Sequence, residues 1–163
     1  MIGLLNPQGH FVVTHKDKHG NVIHTQRVKN GITNGGKDDL LDVAFDAGTQ
    51  STTWYFSLID NSGFTALAAA DTMASHSGWT ELQSYNEATR VDWNPDGASS
   101  QSQTNAAGRT FTINATETVN GIFLSSNSTK GGTTGILWST ASFAATINVV
   151  NTDTLDIVYT VDI

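Results

Sequence analysis

Short apolar segments recur along the C-terminal third of the chain, from Thr110 to Ile163, separated by Asn, Thr, Ser, Gly or Asp. Alternation is clearest in the last segment, where one strand face would carry Leu155, Ile157, Tyr159 and Val161. The segments FTIN, ETVNGIFLSS, GILWSTASF, ATINVV and TLDIVYTVDI predict five strands. Because they follow one another at about the 8 to 12 residue spacing of antiparallel sheets, with no helical pattern between them, they predict a β-sandwich or barrel.

Two further regions predict strands. The runs Phe11 to Thr14 and Val22 to Val28 flank KDKHGN, in which Gly20 accepts a positive φ and Asn21 tolerates a turn, so we expect a β-hairpin. The run TTWYFSLIDN is too rich in aromatic and β-branched residues for a helix, and it predicts a central strand buried on both faces.

One segment, GITNGGKDDLLDVAFDAGTQ, carries a helix pattern. Thr33 or Asn34 can cap it, Asp38 and Asp39 are expected in its first turn, and Gly48 is expected to end it. The apolar stripe should pack against the sandwich, and it consists of Leu40, Leu41, Ala44 and Phe45. The acidic side chains are expected on the solvated side, namely Asp38, Asp39 and Asp42.

The middle of the chain gives weaker patterns. We expect a short helical turn near Leu67 to Ala70 and then a loop to Trp79, whereas TRVDWNPDGASSQSQTNAAGR predicts a strand that runs into a long polar loop. The predicted fold is mainly β: an antiparallel β-sandwich, jelly-roll-like, with an N-terminal β-hairpin and one short α-helix. Residues 1–9 are assigned to an N-terminal arm and residues 10–163 to a single domain, which is large enough to bury a core.

Composition narrows the classes of function. The 163 residues include no cysteine, which excludes disulfides, thiolate metal sites and thiol nucleophiles. A formal net charge of -7 with eight Lys plus Arg argues against a nucleic-acid surface. No apolar run approaches the roughly 20 residues of a membrane helix, so no membrane is expected among the partners. Charged residues make up 14%, below the typical value of about 25%, and a hydroxyl-rich surface of this kind suits assembly contacts.

The predicted hairpin carries four of the five histidines, which are His10, His15, His19 and His24. Zinc needs three or four ligands that converge on one point, but by strand parity His10 and His15 fall on opposite faces. We therefore expect solvated histidines that titrate near pH 6.5, with a metal site as the alternative.

A second set of oxygen donors lies in the polar loop. Asp92, Asn94, Asp96 and Gly97 match the first half of an EF-hand loop, but Gln103 stands where the bidentate acid belongs. An Asx-type turn is favoured, and calcium binding by Asp92, Asn94 and Asp96 stays open. We predict that the protein binds no metal and no cofactor.

No catalytic constellation is present in the sequence. There is no G-x-S-x-G elbow, and His76 between Ser75 and Ser77 fits a hydrogen-bonding loop residue better than a catalytic one. Lys130 precedes its glycines, which is the reverse of a P-loop. We predict no catalytic residues, no cofactor-binding residues and no enzyme activity.

The four tryptophans raise the possibility of a carbohydrate-binding module. Trp54 and Trp138 lie in apolar strands and are expected in the core. Trp79 and Trp93 lie among polar residues, where they fit interface anchors or pins for long loops better than a sugar platform.

The phrases LLDV, WYFSLIDN, AAADTMASHSGWTE and GILWS, in this order, resemble a group of small virion structural proteins of tailed bacteriophages. The likeness extends from about Val28 to Val161 and is most like a capsid decoration, or cement, protein. It implies a non-enzymatic virion component assembled in the host cytoplasm, with the major capsid protein and copies of itself as partners, commonly as a homotrimer. A tail, neck or fibre protein is the alternative position in the particle.

The apolar start of the chain has no local partner if the hairpin begins at His10. Ile2, Leu4 and Leu5 are therefore predicted to dock in trans on a neighbouring subunit, and they complete the interface candidates together with Trp79 and Trp93.

Overall fold

The computed structural model describes residues 6–163, which form strands and one short helix. In chain order the elements are β1 Gln8–Lys16, β2 Val22–Lys29, β3 Gly31–Ile32, α1 Asn34–Phe45, β4 Trp54–Asp60, β5 Glu81–Leu82, β6 Val91–Trp93, β7 Ser102–Thr104, β8 Arg109–Thr112, β9 Glu117–Ser125, β10 Leu137–Val149 and β11 Thr154–Asp162. Because β1 begins at Gln8, its pairing starts inside the predicted arm of residues 1–9.

The strands form two antiparallel sheets, as the alternation predicts. Sheet A has the order β2, β1, β11, and both β7 and β8 pair with the free edge of β11. Sheet B has the order β3, β10, β9, β4, and both β5 and β6 pair with β4. The mainly β fold is that of a β-sandwich, with the hairpin β1 and β2 and one short helix as predicted. A jelly-roll-like topology stays a prediction.

The main core lies between the sheets. Phe11 and Tyr159 of sheet A stack with ring centroids 4.4 Å apart, and Phe56 of sheet B meets both rings edge to face at 6.0 and 6.3 Å. These pairs show that the alternating faces of β1, β4 and β11 bury their apolar side chains against each other. Where β2 approaches β10, the side chain of Gln26 donates to the carbonyl of Ala145 at 3.0 Å and ties the two sheets together.

A second, smaller core covers the outer face of sheet B. Ile59 and Phe123 of that sheet pack with Met73 and Trp79, which come from the segment between β4 and β5. Residues 56–59 are consequently buried on both faces of β4, which confirms the doubly buried strand. The covering segment contains hydrogen-bonded turns and no helix, so the helical turn expected near Leu67 to Ala70 is wrong.

The C-terminal region forms four strands where five were predicted. GILWSTASF and ATINVV belong to one strand, β10, of 13 residues. Its register against β9 shifts between Ser142 and Ile147, so a bulge absorbs the break in alternation that looked like a turn.

Candidate functional site

The helix α1 begins on sheet B. Thr33 is the N-cap: its backbone N–H donates to the carbonyl of Trp138 at 3.0 Å, and its hydroxyl accepts from the N–H of Gly36 at 3.0 Å. A Cβ on Gly36 would lie 2.6 Å from the Trp138 carbonyl oxygen, so only glycine allows this close approach. The predicted cap is confirmed, and the cap and Gly36 together fix how α1 is rotated about its axis.

That rotation differs from the expected one. Gly36 is the buried residue of α1, whereas Leu41 is 53% and Phe45 76% exposed. The prediction that the whole apolar stripe packs on the sandwich is therefore wrong: the side of the helix that Gly36 turns inward includes Leu40 of the stripe but leaves Leu41, Ala44 and Phe45 exposed. Asp38 and Asp39 also fall outside the first turn, which carries no acidic residue.

The inward side of α1 covers a cavity of about 300 Å³ at one end of the sandwich. Asp39, Leu40 and Val43 line it from the helix. Its floor comes from sheets A and B and contains Trp54, Trp93, Trp138, Leu124 and Val161. The predicted core residues Trp54 and Trp138 are in fact half-buried, and they lie at the boundary between core and cavity.

Two polar groups of the cavity are unusual. Burial, together with the neighbouring carboxylate of Asp42, raises the pKa of Asp39 above its ordinary value. The indole Nε1 of Trp93 is buried and has no hydrogen-bond partner within residues 6–163, whereas Nε1 of Trp138 donates to the hydroxyl of Tyr159 at 3.1 Å. A buried N–H without an acceptor costs about 1–3 kcal/mol, so the indole of Trp93 is held in this place at a cost to stability.

Part of the cavity rim is a tight turn between Ser99 and Ser102, which exchange backbone hydrogen bonds of 2.9 and 3.0 Å. The two residues inside it, Ser100 and Gln101, have φ of 53° and 62°. This left-handed pair is the geometry in which Asn-Gly is normally preferred. Gln101 lines the cavity, so a side chain is kept there at a conformational cost.

The outer face of α1 is the side that points away from the sandwich, and it consists of Leu41 and Phe45 with the acidic residues Asp38, Asp42 and Asp46 beside them. Asp38 and Asp42 are four residues apart, so they form one row along the helix, and Asp46 follows them as its C-cap. Ion pairs within residues 6–163 are His15–Asp153, Lys16–Asp156, Arg90–Glu81 and Arg109–Asp92, and none of them involves α1. The face is therefore apolar with an acidic border.

Both predicted anchor tryptophans are covered by their own chain. Trp79 is 2% exposed, its Nε1 donates to Asp71 at 2.9 Å, and its ring stacks on His76 at 3.9 Å. Trp93 is 7% exposed and faces Trp54 across the pair of β6 and β4. Trp79 thereby pins the loop that covers sheet B, and an interface role for either ring stays a prediction.

The histidines of the hairpin do not share one environment. His15 is buried, and its Nε2 lies 2.8 Å from the Asp153 carboxylate, so the prediction that it is solvated is wrong. His10 lies on the opposite strand face beside Arg27, and burial, reinforced by that guanidinium, lowers its pKa. In the described part of the chain no group of three or more His, Asp or Glu side chains has the arrangement of a metal site.

The proposed calcium ligands bond elsewhere. The carboxylate of Asp92 pairs with Arg109, and that of Asp96 accepts from the backbone N–H of Ala106 at 2.9 Å. Each carboxylate therefore has its own protein partner and holds its own part of the polar loop.

Sequence reasoning missed a buried ion pair next to the smaller core. Arg90 is 1% exposed, and its Nε and Nη2 donate to the two oxygens of Glu81 at 2.9 and 2.7 Å. Its other N–H groups donate to the hydroxyl of Ser125 and to the carbonyls of Asn127 and Gly132. Arg90 thus ties its own loop, between β5 and β6, to the end of β9 and to the loop between β9 and β10. Its place between the polar Thr89 and the strand residue Val91 gives no signal of this role.

The predicted docking residues Ile2, Leu4 and Leu5 lie outside the described residues. No helix between residues 6 and 163 has the length and apolar character needed to cross a membrane. A scan against protein-family models and a search of curated proteins both find no match to this chain.

Proposed function

We propose that this chain is a non-enzymatic structural component of a tailed-phage virion that decorates the capsid and bridges capsid subunits. The outer face of α1 carries the proposal, because Leu41 and Phe45 leave 53% and 76% of their surface in solvent. Apolar surface of this kind next to a polar border is typical of a protein–protein contact. The resemblance in sequence phrases to virion proteins names the partner as the major capsid protein, with further copies of this chain beside it in a homotrimer.

The acidic residues at the outer face of α1 indicate the charge of the surface that the partner offers. Like charges at four-residue spacing destabilise a helix, so Asp38, Asp42 and Asp46 weaken α1 while it is free. A partner with an apolar pocket bordered by Lys or Arg would cover Phe45 and neutralise this repulsion. The occupant is therefore a capsid subunit with basic residues around an apolar depression.

The test is binding of the purified chain to capsids assembled from the major capsid protein encoded with it. Phe45→Ser should weaken binding by about 30-fold, because a central aromatic anchor contributes about 2 kcal/mol or more. The same variant should change the free energy of unfolding by less than about 0.5 kcal/mol, because the ring is mostly exposed. Raising the salt concentration should weaken binding further, since complementary charges are screened.

Ile23→Ser is the matched control, because Ile23 is 57% exposed on β2, away from α1. This variant should bind capsids like the wild type. Stoichiometric occupancy across the capsid in electron micrographs supports decoration, whereas occupancy at a single vertex indicates the tail, neck or fibre alternative. Equal binding by Phe45→Ser and wild type would refute the role of α1.

A further inference from the structure

The cavity beneath α1 borders the main core. Leu124 of that core lines it, together with the half-buried rings of Trp54 and Trp138, which pack against the core. The side toward the helix is apolar as well, because Leu40 and Val43 face it. Protein interiors contain few voids larger than a water molecule, whereas this space measures about 300 Å³. An apolar side chain that fills it would move from water into apolar surroundings, which stabilises the fold.

The chain itself reaches the cavity at Pro7, the residue before β1. In β1 the odd-numbered residues from 9 to 15 are buried, whereas the even-numbered residues are exposed or half-buried. Pro7 continues this alternation, since it lines the cavity while Asn6 before it is exposed. The inward face of β1 therefore extends past the start of the strand and ends at the cavity wall.

The same alternation can be followed one step further back along the chain. A residue before a proline is restricted to extended backbone, which applies to Asn6. In an extended chain, side chains two residues apart share a face, so Leu5 falls on the face of Pro7 and Leu4 on the opposite one. Two residues of extended chain span about 7 Å, so Leu5 can reach the cavity from Pro7 directly.

We propose that the side chain of Leu5 occupies the cavity beneath α1 of its own chain. There it meets Leu40 and Val43 of the helix and the indole rings of Trp54 and Trp138, which line the cavity. Leu5 of the same chain is favoured over Leu5 of a second copy, because its short connection to a lining residue gives it a high effective concentration at the site.

This contact would position α1. The helix is fixed to sheet B at its start, through the Thr33 cap and Gly36, and beyond that turn its inward side faces the cavity. Leu5 fills the space under this second part and so supports the helix that carries Leu41 and Phe45. The cavity lies on the other side of α1 from its outer face, so the inference does not depend on capsid decoration.

The first measurement compares substitutions at two neighbouring positions of the full chain. Leu5→Ser should lower the melting temperature by about 3–12 °C, because it removes a buried leucine side chain. Leu4→Ser is the matched control, adjacent in sequence but on the opposite face, and should change the melting temperature by less than about 2 °C. Leu5→Met should melt close to the wild type, because it conserves the volume of the side chain.

The second measurement locates the leucine by NMR of the full chain with labelled leucine methyl groups. Nuclear Overhauser contacts should join the Leu5 methyl protons to ring protons of Trp54 or Trp138, and they should vanish in Leu5→Ser. The ring of Trp79 should show no contact with Leu5, because it packs in the smaller core on the outer face of sheet B. In an equal mixture of labelled and unlabelled chains, isotope-filtered spectra should show no contact between different chains.

The inference is overturned if Leu4→Ser lowers the melting temperature as much as Leu5→Ser or more. It is also overturned if Leu5 has no contact with the cavity tryptophans, or if the contact appears between different chains in the mixture, which would make a second copy the occupant. Capsid binding by Phe45→Ser is measured separately, so a failure here is distinguishable from a failure of the proposed function.

Discussion

The buried pair of Arg90 and Glu81 gives the sharpest test of how the loops are held. Their side chains are 0% and 7% exposed, and the two groups form a bidentate contact. Arg90→Met would leave the Glu81 carboxylate buried without its cation, and among residues 6–163 only Ser57 and the N–H of Gly131 would still donate to it. Breaking such a pair from one side costs about 3–5 kcal/mol.

For a chain of 163 residues each kcal/mol lowers the melting temperature by about 2–4 °C, so Arg90→Met should lower it by about 6–20 °C. Glu81→Gln should cost a comparable amount, because it leaves the guanidinium unbalanced. The double variant leaves no charge at this buried site. Its loss in free energy of unfolding should therefore be smaller than the sum of the two single losses by about 1–3 kcal/mol.

Denaturant unfolding of the four proteins measures this cycle. Arg109→Met is the matched control, because Arg109 and Asp92 form an ion pair whose side chains are 38% and 39% exposed. An exposed pair of this kind contributes about 0–1 kcal/mol. If Arg90→Met is no more destabilising than Arg109→Met, or if the double variant costs the full sum, the reasoning about burial is wrong.

Three further predictions concern the backbone and pH. Thr152→Gly should raise the free energy of unfolding by about 1 kcal/mol, because Thr152 has a φ of 78°; an unchanged denaturation midpoint would contradict this. Asp39→Asn should melt at a higher temperature than wild type at pH 7, since the raised pKa of Asp39 means that its ionisation destabilises the folded state. This difference should disappear as the pH falls below the ordinary carboxyl value of 3.8, and a constant difference would refute it. Gly35→Ala should stabilise by about 0.5–1 kcal/mol because its Cβ meets nothing, whereas Gly36→Ala should destabilise by about 1–3 kcal/mol because its Cβ would press on Trp138; equal effects of the two would show that α1 does not touch the sheet there.

The strands were predictable because their information is local. Leu155, Ile157 and Tyr159 alternate with residues that are only partly buried, and each of the three is fully buried in β11. In β10 a bulge interrupts this alternation, because it shifts the register without any turn residue in the sequence. The buried polar pairs were not predictable for a related reason: His15 is 138 residues from Asp153, so only the tertiary fold shows that the histidine has an acceptor.

The cavity was beyond sequence reasoning because its tryptophans come from three separate strands. The apolar pattern assigns Trp54 and Trp138 to a core, whereas the polar neighbours of Trp93 suggest an interface anchor or a pin for a loop. Whether a core residue faces another side chain or a cavity depends on what covers it. Here the cover is α1, whose rotation the amphipathic pattern predicted wrongly.

The rotation of α1 is itself an argument about function. Turning Leu41 and Phe45 inward would gain about 1.5–3 kcal/mol for each side chain by burial. It would also break the Thr33 cap, worth about 1 kcal/mol, and replace Gly36 by a larger side chain at a point where even a Cβ lies 2.6 Å from the Trp138 carbonyl. The steric term decides the orientation, so the fold alone does not need apolar residues at positions 41 and 45. Polar residues there would cost the folded chain little and would increase its solubility, so the presence of Leu and Phe supports the proposal that a partner covers them.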